Sequence, residues 1–423
     1  MIVKVCDMIM GAGKTQSAIT QMNEDTQSRY IFVTPYLDEV KRIRRGCAER
    51  GFREPQQLGA GKLDHLHELL TEKKNIACTH ALFERYNEET IELIRNGEYK
   101  LIMDEAFHAV KVIEISQRDL ELLRNKDNGM IEVEAGSYRV NWTKDDYQGK
   151  FEELRDMCKM GNVILYRDCL FLWAFPVDVF RAFTDVTILT YLFDAQEQKY
   201  YFDTHGVEVK KIGTVCEDGV YRFSEVGVAP EYVKTLHEKI HILDDERLNE
   251  IGDKETALSS SWYARAEKEK GKPNIRRLKN NLVNVFSNRY AARTSQTLWT
   301  TFKKYHEKLK GNGYTSGFLA CNARATNAYR ERDHLAYCIN IYYHPYLRSY
   351  FVEQGVDVHD DEYALSEMIQ WIWRSAIRDG KEIWVYIPSR RMRELLKKWL
   401  LDLSSVDYNE QNQSNRAAEG GGQ

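Results

Sequence analysis

Long apolar runs, paired cysteines and an excess of positive charge are all missing from this sequence of 423 residues. No stretch approaches the ~20 consecutive apolar residues of a membrane-spanning helix, so we expect no membrane partner. None of the eight cysteines belongs to a CxxC pair, which argues against a zinc site and for reduced thiols. Lysine and arginine number 60 against 64 acidic residues, so a strongly basic nucleic-acid binder is excluded and only local basic patches stay open.

Enough apolar mass is present for more than one folded core. Hydrophobic residues make up 43% of the chain and charged residues 29%, which is typical of a soluble globular protein. At roughly 100–200 residues per domain, the length predicts two or three domains. The first residues run directly into a strand pattern, so we expect no signal peptide and a cytoplasmic location.

Short apolar runs alternate with helical patterns through the first half of the chain. The strand-like runs cover residues 2–8, 30–34, 75–78, 101–103 and 186–190. Short buried strands that alternate with helices are typical of a parallel, doubly wound α/β sheet.

The middle of the chain changes in charge and pattern. Residues 235–257 hold seven acidic and three basic side chains, whereas residues 262–310 hold thirteen basic and three acidic ones. Strand patterns are few, so we expect a charged helical insertion over about 230–310. Later predictions are a strand over 314–320, a helix over 365–378, a strand over 382–387, a helix capped by Ser389, and a disordered polar tail over 406–423.

A glycine loop, Gly11-Ala12-Gly13-Lys14-Thr15, follows the first strand pattern and opens a helix. Phosphate-binding loops need this context, because glycines let backbone N–H groups approach phosphates and the helix N-terminus adds positive charge. We expect Lys14 to reach the β- and γ-phosphates of ATP and the Thr15 hydroxyl to hold Mg²⁺. Met8 stands where the pattern usually has its first glycine, and a glycine turn without nucleotide is the alternative.

Two adjacent carboxylates follow the apolar run 101–103. Asp104 is expected to bind Mg²⁺, and Glu105 to orient and deprotonate the attacking water. His108 is either a relay toward a strand-binding surface or an ordinary surface histidine. A solvated loop start is the alternative for the carboxylates, although a phosphate loop earlier in the chain disfavours it.

With these two motifs the sequence resembles superfamily 2 helicases of the DEAD/DEAH type. Stretches that match the family's motifs in order are 11–15, 32–35, 78–81, 104–107, 189–191, 322–327 and the set Gln370, Arg374 and Arg378. The sequence over 322–327, 370–383 and 386–396 is most similar to helicases of tailed bacteriophages. The resemblance implies catalytic roles for Gln370, Arg374 and Arg378, and nucleic-acid contacts by Thr34, Pro35, Thr79, His80, Thr326 and Asn327.

Spacing and side-chain chemistry also favour a catalytic role for the three residues of the last motif. Gln370, Arg374 and Arg378 are spaced four apart, which places them on one face of a helix. A planar guanidinium suits the charge that develops on a transferred phosphoryl group, and such a finger is worth roughly 10³–10⁵ in rate. The family spaces its arginines three apart, so Arg374 is the safer finger. A solvated basic helix face is the alternative.

The basic region offers a possible path for a nucleic-acid backbone. Arg276 and Arg277 lie in its densest run, and Tyr290, Trp299 and Tyr305 could stack bases. An ordinary solvated helix with its aromatic side chains turned inward is the alternative. The cluster Arg390, Arg391 and Arg393 has the same two interpretations.

The sequence therefore predicts two tandem RecA-like α/β domains, over 1–205 and 206–405. ATP and Mg²⁺ are expected between them, in a helicase or translocase acting on DNA in phage replication or recombination. Expected partners are nucleic acid and phage or host replication proteins in the bacterial cytoplasm. The alternatives are a phage DNA-packaging ATPase and an ATP-gated clamp that does not unwind.

Overall fold

A computed structural model describes residues 1–58, 61–125, 127–321 and 328–405. The chain divides into two compact units. The first unit comprises Met1–Cys6, Thr15–Lys211 and His344–Val358, and the second comprises the other described residues. The predicted tail 406–423 lies outside the described residues.

Strands and helices alternate along much of the chain. The strands are β1 (Ile2–Asp7), β2 (Arg29–Thr34), β3 (Ile76–Thr79), β4 (Tyr99–Asp104), β5 (Val110–Ile113), β6 (Ile131–Val133), β7 (Val140–Trp142), β8 (Val163–Tyr166), β9 (Leu170–Ala174), β10 (Asp185–Thr190), β11 (Glu208–Glu217), β12 (Val220–Ser224), β13 (Ile240–Ile242), β14 (Thr297–Thr300), β15 (His334–Tyr337) and β16 (Ile383–Tyr386). The α-helices are α1 (Lys14–Glu24), α2 (Leu37–Gly46), α3 (Lys62–Thr71), α4 (His80–Phe83), α5 (Glu88–Gly97), α6 (Gln117–Leu123), α7 (Glu152–Lys159), α8 (Val177–Arg181), α9 (Glu197–Thr204), α10 (Leu236–Lys239), α11 (Glu246–Asn249), α12 (Ser260–Lys268), α13 (Pro273–Asn284), α14 (His306–Leu309), α15 (Pro345–Glu353), α16 (Asp360–Ile372) and α17 (Arg390–Ser405).

The main sheet of the first unit has the strand order β1-β10-β4-β2-β3. The pairs β10–β4, β4–β2 and β2–β3 are parallel. β2 and β10 are buried along nearly their whole length, which explains why they appear in sequence as continuous apolar runs. Each of the five strand runs predicted for this half of the chain therefore falls on a strand of this sheet.

A small β-rich region is inserted between β4 and β10, and the sequence patterns did not predict it. It contains the antiparallel sheet β5-β9-β8 and the antiparallel pair β6–β7. Its strands are three to five residues long, too short for their alternation to stand out from the surrounding polar sequence.

The second unit contains the sheet β13-β16-β15-β14, in which all neighbouring pairs are parallel. Two of these strands, β13 and β14, lie inside the range predicted to be a helical insertion. The strand predicted over 314–320 is wrong: Thr315–Gly317 is a 3₁₀ turn, and only Phe318 forms a bridge, with Trp299. Gly317 lies so close to the Thr297 carbonyl that a Cβ would overlap it.

The predicted α/β class with parallel sheets is confirmed by these two sheets. Among the described helices, none has the length and apolar run needed to cross a bilayer. Cys78 and Cys47 are buried. Burial raises the pKa of the Cys78 thiol to about 12 and that of the Cys47 thiol to about 11, which favours the protonated thiol at both positions.

Candidate active site

The glycine loop connects β1 to α1, as its sequence context predicts. Gly11 and Gly13 adopt φ values of 86° and 80°, in the left-handed region that side chains with a Cβ rarely enter. The Ala12 N–H donates to the Ile9 carbonyl at 3.2 Å and closes a turn. The loop is therefore a tight backbone curve that opens directly into a helix N-terminus, which is a suitable geometry for holding phosphate.

The Lys14 side chain folds back over this loop. Its ammonium group donates to the carbonyls of Met8 and Ile9, the latter at 3.2 Å. The side chain is half-buried, so its charge is held next to the loop backbone rather than extended into solvent. The ammonium group lies beside the backbone that would surround a bound phosphate.

A hairpin and a 3₁₀ helix from the second unit contact the loop along its length. The Thr214 hydroxyl, on β11, donates to the Ala12 carbonyl at 2.6 Å. The Tyr232 hydroxyl, on the 3₁₀ helix Glu231–Thr235, donates to the Met10 carbonyl. A Cβ built on Gly13 would overlap the ring of Tyr221, on β12.

These three residues were not predicted from the sequence, because they lie about two hundred positions after the loop. One local signal could have located the hairpin. Asp218-Gly219 separates two β-rich runs, and both residues have positive φ, as the tightest hairpin turns require. Nothing local indicates that this hairpin meets the glycine loop.

The predicted carboxylates lie at the end of β4, in the first unit. The Thr34 hydroxyl, at the end of β2, donates to an Asp104 carboxylate oxygen at 3.5 Å. Nε2 of His80, which follows β3, donates to the Asp104 carbonyl at 3.0 Å. The carboxyl ends of three parallel strands thus meet at Asp104, as predicted for strands of one parallel sheet.

Glu105 has φ +64°, an uncommon value for a residue with a side chain. Its N–H donates to the Leu189 carbonyl, on β10, at 2.8 Å. Strained backbone of this kind persists where the surroundings fix it, and it clusters at functional sites. The side chain is half-buried, and the backbone that carries it is bonded to β10.

Residues at the start of α9 fix the segment after Glu105, and no sequence pattern indicated them. The buried Glu197 carboxylate accepts from the Val110 N–H at 2.9 Å and lies 3.3 Å from Nδ1 of His108. The Gln198 amide oxygen accepts from the Phe107 N–H at 3.3 Å. His108 is therefore tied to a buried carboxylate, rather than being an isolated surface histidine.

Two of the residues expected to contact nucleic acid, Thr34 and His80, are buried in this structure, whereas a direct contact needs an accessible side chain. Thr34 is fully buried and His80 is 6% exposed, so both support Asp104 in this structure. Pro35 and Thr79, from the same two stretches, are half-buried and more accessible. The predicted contacts by Thr326 and Asn327 lie outside the described residues.

The oxygen donors Thr15 and Asp104 both belong to the first unit. Magnesium prefers oxygen ligands, and in nucleotide sites it takes one or two protein groups together with phosphate and water. The described residues contain no cluster of three or more metal-ligating side chains, so a dedicated all-protein cage is not present among them. A hydroxyl and a carboxylate fit Mg²⁺ bound with a nucleotide.

The helix predicted over 365–378 ends earlier than expected, which corrects one part of the arginine motif. α16 stops at Ile372, whose carbonyl accepts the Ser375 hydroxyl at 2.6 Å. Gln370 is on this helix, Arg374 lies beyond its end, and Arg378 is in the 3₁₀ segment Ala376–Asp379. The prediction of one shared helix face is therefore wrong: Arg374 is half-buried, whereas Arg378 is exposed.

Burial also corrects the predicted stacking surface in the basic region. Trp299 is 0% and Tyr305 3% exposed, and both belong to the core of the second unit. The Tyr290 hydroxyl is buried as well, so these rings pack inward. Of the two arginines on α13, Arg277 is paired with Glu250 and Arg276 is exposed.

The cluster at the start of α17 is structural in two of its three members. Arg393 is buried and donates to the carbonyls of Ile387 and Pro388. Arg391 donates to the Ile341 carbonyl at 2.7 Å and pairs with Asp361. Only Arg390 of this cluster is exposed.

Comparison with known proteins gives two family-model matches. Residues 110–173 match the YonV middle domain, and residues 234–400 match the YonV C-terminal Rossmann-like domain. The first match coincides with the insertion between β4 and β10. The chain is also 43% identical, over 412 residues, to the SPbeta prophage-derived protein YonV of Bacillus subtilis (strain 168), covering 94% of this chain and 98% of that protein.

Among solved structures, similarity extends to XPD proteins at low identity. An apo XPD structure has a TM-score of 0.48 at 12% identity and covers 93% of this chain and 95% of its own. Xpd4 of S. tokodaii has the same TM-score and identity, with coverages of 96% and 94%. A structure titled as an XPD helicase has a TM-score of 0.41 at 11% identity, with coverages of 94% for both chains.

Proposed function

The chain belongs to the YonV family, and from the site it carries we propose that it is an ATP-dependent nucleic-acid helicase or translocase. The observation that carries the proposal is the pairing of a glycine loop with an acidic strand end. The loop follows β1, and Asp104-Glu105 ends β4, in a sheet where β10 lies between the two strands. Nucleotide hydrolases need this combination of a phosphate-binding loop and carboxylates.

Each residue has a stated part in the proposed reaction. The loop N–H groups and the Lys14 ammonium would bind the phosphates, and Thr15 and Asp104 would hold Mg²⁺. When bound, Mg²⁺ would neutralise charge on the β- and γ-phosphate oxygens. Glu105 would orient the attacking water and accept its proton. Arg374 would stabilise charge on the transferred phosphoryl group.

Nucleic acid as the partner rests on the resemblance to superfamily 2 helicases. DNA in a phage setting is the specific substrate that we propose, because the 43% identical relative is prophage-derived. In this proposal, hydrolysis alternately changes the affinity of the two halves of the protein for a strand, and the cycle moves the protein along it.

The direct test is ATP hydrolysis by the full chain, alone and with single-stranded DNA, single-stranded RNA or duplex DNA. We expect single-stranded DNA to increase kcat most. Equal rates in every condition would contradict a nucleic-acid motor. Stimulation by RNA alone would show that RNA, and not DNA, is the substrate. Strand-displacement assays then separate an unwinding enzyme from an ATP-gated clamp, because a clamp hydrolyses ATP without displacing the complementary strand of a duplex.

The corrected arginine geometry gives a paired prediction. Arg374→Ala is expected to lower kcat by about 10³-fold while nucleotide binding is retained, because a finger acts mainly on the transition state. Arg378→Ala should lower kcat far less, since Arg378 is exposed whereas Arg374 is half-buried. Steady-state kinetics and binding of a non-hydrolysable ATP analogue measure both effects. A larger loss in the Arg378 variant would transfer the finger role to Arg378.

A further inference from the structure

Two hydroxyl groups hold the carbonyl oxygens of the glycine loop from the same segment of chain. Thr214 donates to the Ala12 carbonyl at 2.6 Å, and Tyr232 donates to the Met10 carbonyl. Both donors lie between residues 212 and 235 and belong, with the loop residues they contact, to the second unit. The two acceptors are alternate residues of the loop, and each precedes a glycine.

These two bonds fix the direction of the neighbouring amides. The described residues contain no cis peptide bonds, and in a trans peptide the C=O and the following N–H point in opposite directions. The Gly11 N–H is therefore directed away from the Tyr232 hydroxyl, and the Gly13 N–H away from the Thr214 hydroxyl. Each amide thus faces away from the hydroxyl that holds the preceding carbonyl.

Glycine makes this orientation vulnerable in the absence of such bonds. Gly11 and Gly13 can adopt many backbone conformations, so the peptide groups before them can rotate at little steric cost. A rotated peptide would direct a carbonyl oxygen, with its partial negative charge, toward a bound phosphate. Each hydroxyl bond opposes this rotation, because rotation would break the bond.

The two donors are themselves held firmly. Thr214 is 2% exposed, and a hydrogen bond formed away from water is stronger than one in solvent. The centroid of the Tyr232 ring lies 6.4 Å from that of the buried Trp373, whose ring in turn packs edge-on against Trp399. The ring of Tyr221 covers Gly13, so the hairpin closes this side of the loop.

We propose that Thr214 and Tyr232 are positioning residues that pre-orient the glycine loop for the phosphates of a nucleoside triphosphate. The inference rests on the proposed function only in assigning a phosphate ligand to the loop. Neither hydroxyl contacts the ligand in this arrangement; both act through the amides of Gly11 and Gly13. Their effect is on phosphate affinity, and it is independent of the nucleotide base.

The test compares Thr214→Val and Tyr232→Phe, which remove a hydroxyl and keep most of the side-chain shape. Two matched controls lose the same kind of bond elsewhere in the second unit. Thr297→Val removes a hydroxyl bond to the Thr294 carbonyl, and Tyr314→Phe removes one to the Leu309 carbonyl. Calorimetry measures the Kd of a non-hydrolysable ATP analogue and of inorganic pyrophosphate for each full-length variant.

Each loop variant is expected to bind both probes about five- to tenfold more weakly, which corresponds to one lost hydrogen bond. The controls should change Kd by less than about twofold. Thr214→Ser keeps the hydroxyl and should restore affinity, which separates positioning from a loss of folding. Where hydrolysis is measured, KM should rise more than kcat falls, since the loop binds ground and transition states alike.

Unchanged affinity in Thr214→Val and Tyr232→Phe, with a wild-type chain that binds both probes, would overturn this inference and leave the proposed function standing. Weakened binding of the ATP analogue with unchanged binding of pyrophosphate would also overturn it, because the hydroxyls would then act on the base side. A wild-type chain that binds both probes but hydrolyses no ATP under any condition would overturn the proposed function alone. A wild-type chain that binds neither probe would overturn both.

Discussion

Replacing Lys14 by alanine is expected to abolish ATP turnover, with kcat/KM lower by about 10²–10³-fold or more. The ammonium group now donates to the carbonyls of Met8 and Ile9, within the loop that would hold the phosphates. A phosphate would replace these neutral acceptors by charged oxygens, which attract the ammonium group more strongly. The loss therefore falls on phosphate binding and on the charge that builds up during hydrolysis.

The fold should survive this change. Lys14 is half-buried at the start of α1, and alanine is a favourable residue in a helix. A matched control is Lys41→Ala, which removes an exposed lysine paired with Asp38 on α2. Hydrolysis rates and thermal unfolding of both variants give the result. Near-normal turnover in the Lys14 variant would remove the phosphate-loop assignment, and with it the proposed function.

Changing Glu105 to glutamine is expected to lower kcat by about 10²–10⁴-fold while ATP still binds. Glutamine has nearly the same shape as glutamate, but its amide cannot accept the proton of the attacking water. The backbone at this residue is already fixed, because φ is +64° and the N–H donates to the Leu189 carbonyl. The substitution should therefore change proton transfer and leave the position of the side chain intact.

A second glutamate provides a close control for this experiment. Glu98 also has a positive φ, 51°, at the C-terminal end of α5, and it is exposed. Glu98→Gln removes the same charge from the same kind of backbone, away from the site. Single-turnover hydrolysis and ATP-analogue binding, with and without single-stranded DNA, separate the two variants. Equal loss in both variants, or loss of binding in the Glu105 variant, would contradict the role of general base.

Local patterns in the sequence were sufficient to predict the strands and the loop that build the candidate site. Continuous apolar runs located β2, β4 and β10, because strands covered on both faces need apolar side chains at every position. The glycine loop was recognisable because left-handed φ values at two nearby positions require glycine. Asp104 and Glu105 followed as the polar residues at the end of a buried strand.

Helix ends and side-chain burial were less accessible to the same reasoning. The spacing of Gln370, Arg374 and Arg378 suits a helix, yet α16 ends at Ile372, whose carbonyl accepts the Ser375 hydroxyl. Trp299 resembles a stacking residue in a basic segment, yet it is fully buried among other core aromatics. Periodicity indicates which residues share a face, and the packed neighbours decide whether that face is exposed.

By itself, the sequence determined the α/β class, the glycine loop between β1 and α1, and the acidic end of β4, since short-range rules of backbone conformation and burial govern all three. Only the tertiary structure decided which distant groups surround that loop. Thr214 and Tyr232 reach it across about two hundred residues. In the same way, Glu197 contacts the segment after Glu105 across about ninety residues. Such pairings depend on how whole strands and helices are arranged in space, and no local pattern encodes that arrangement.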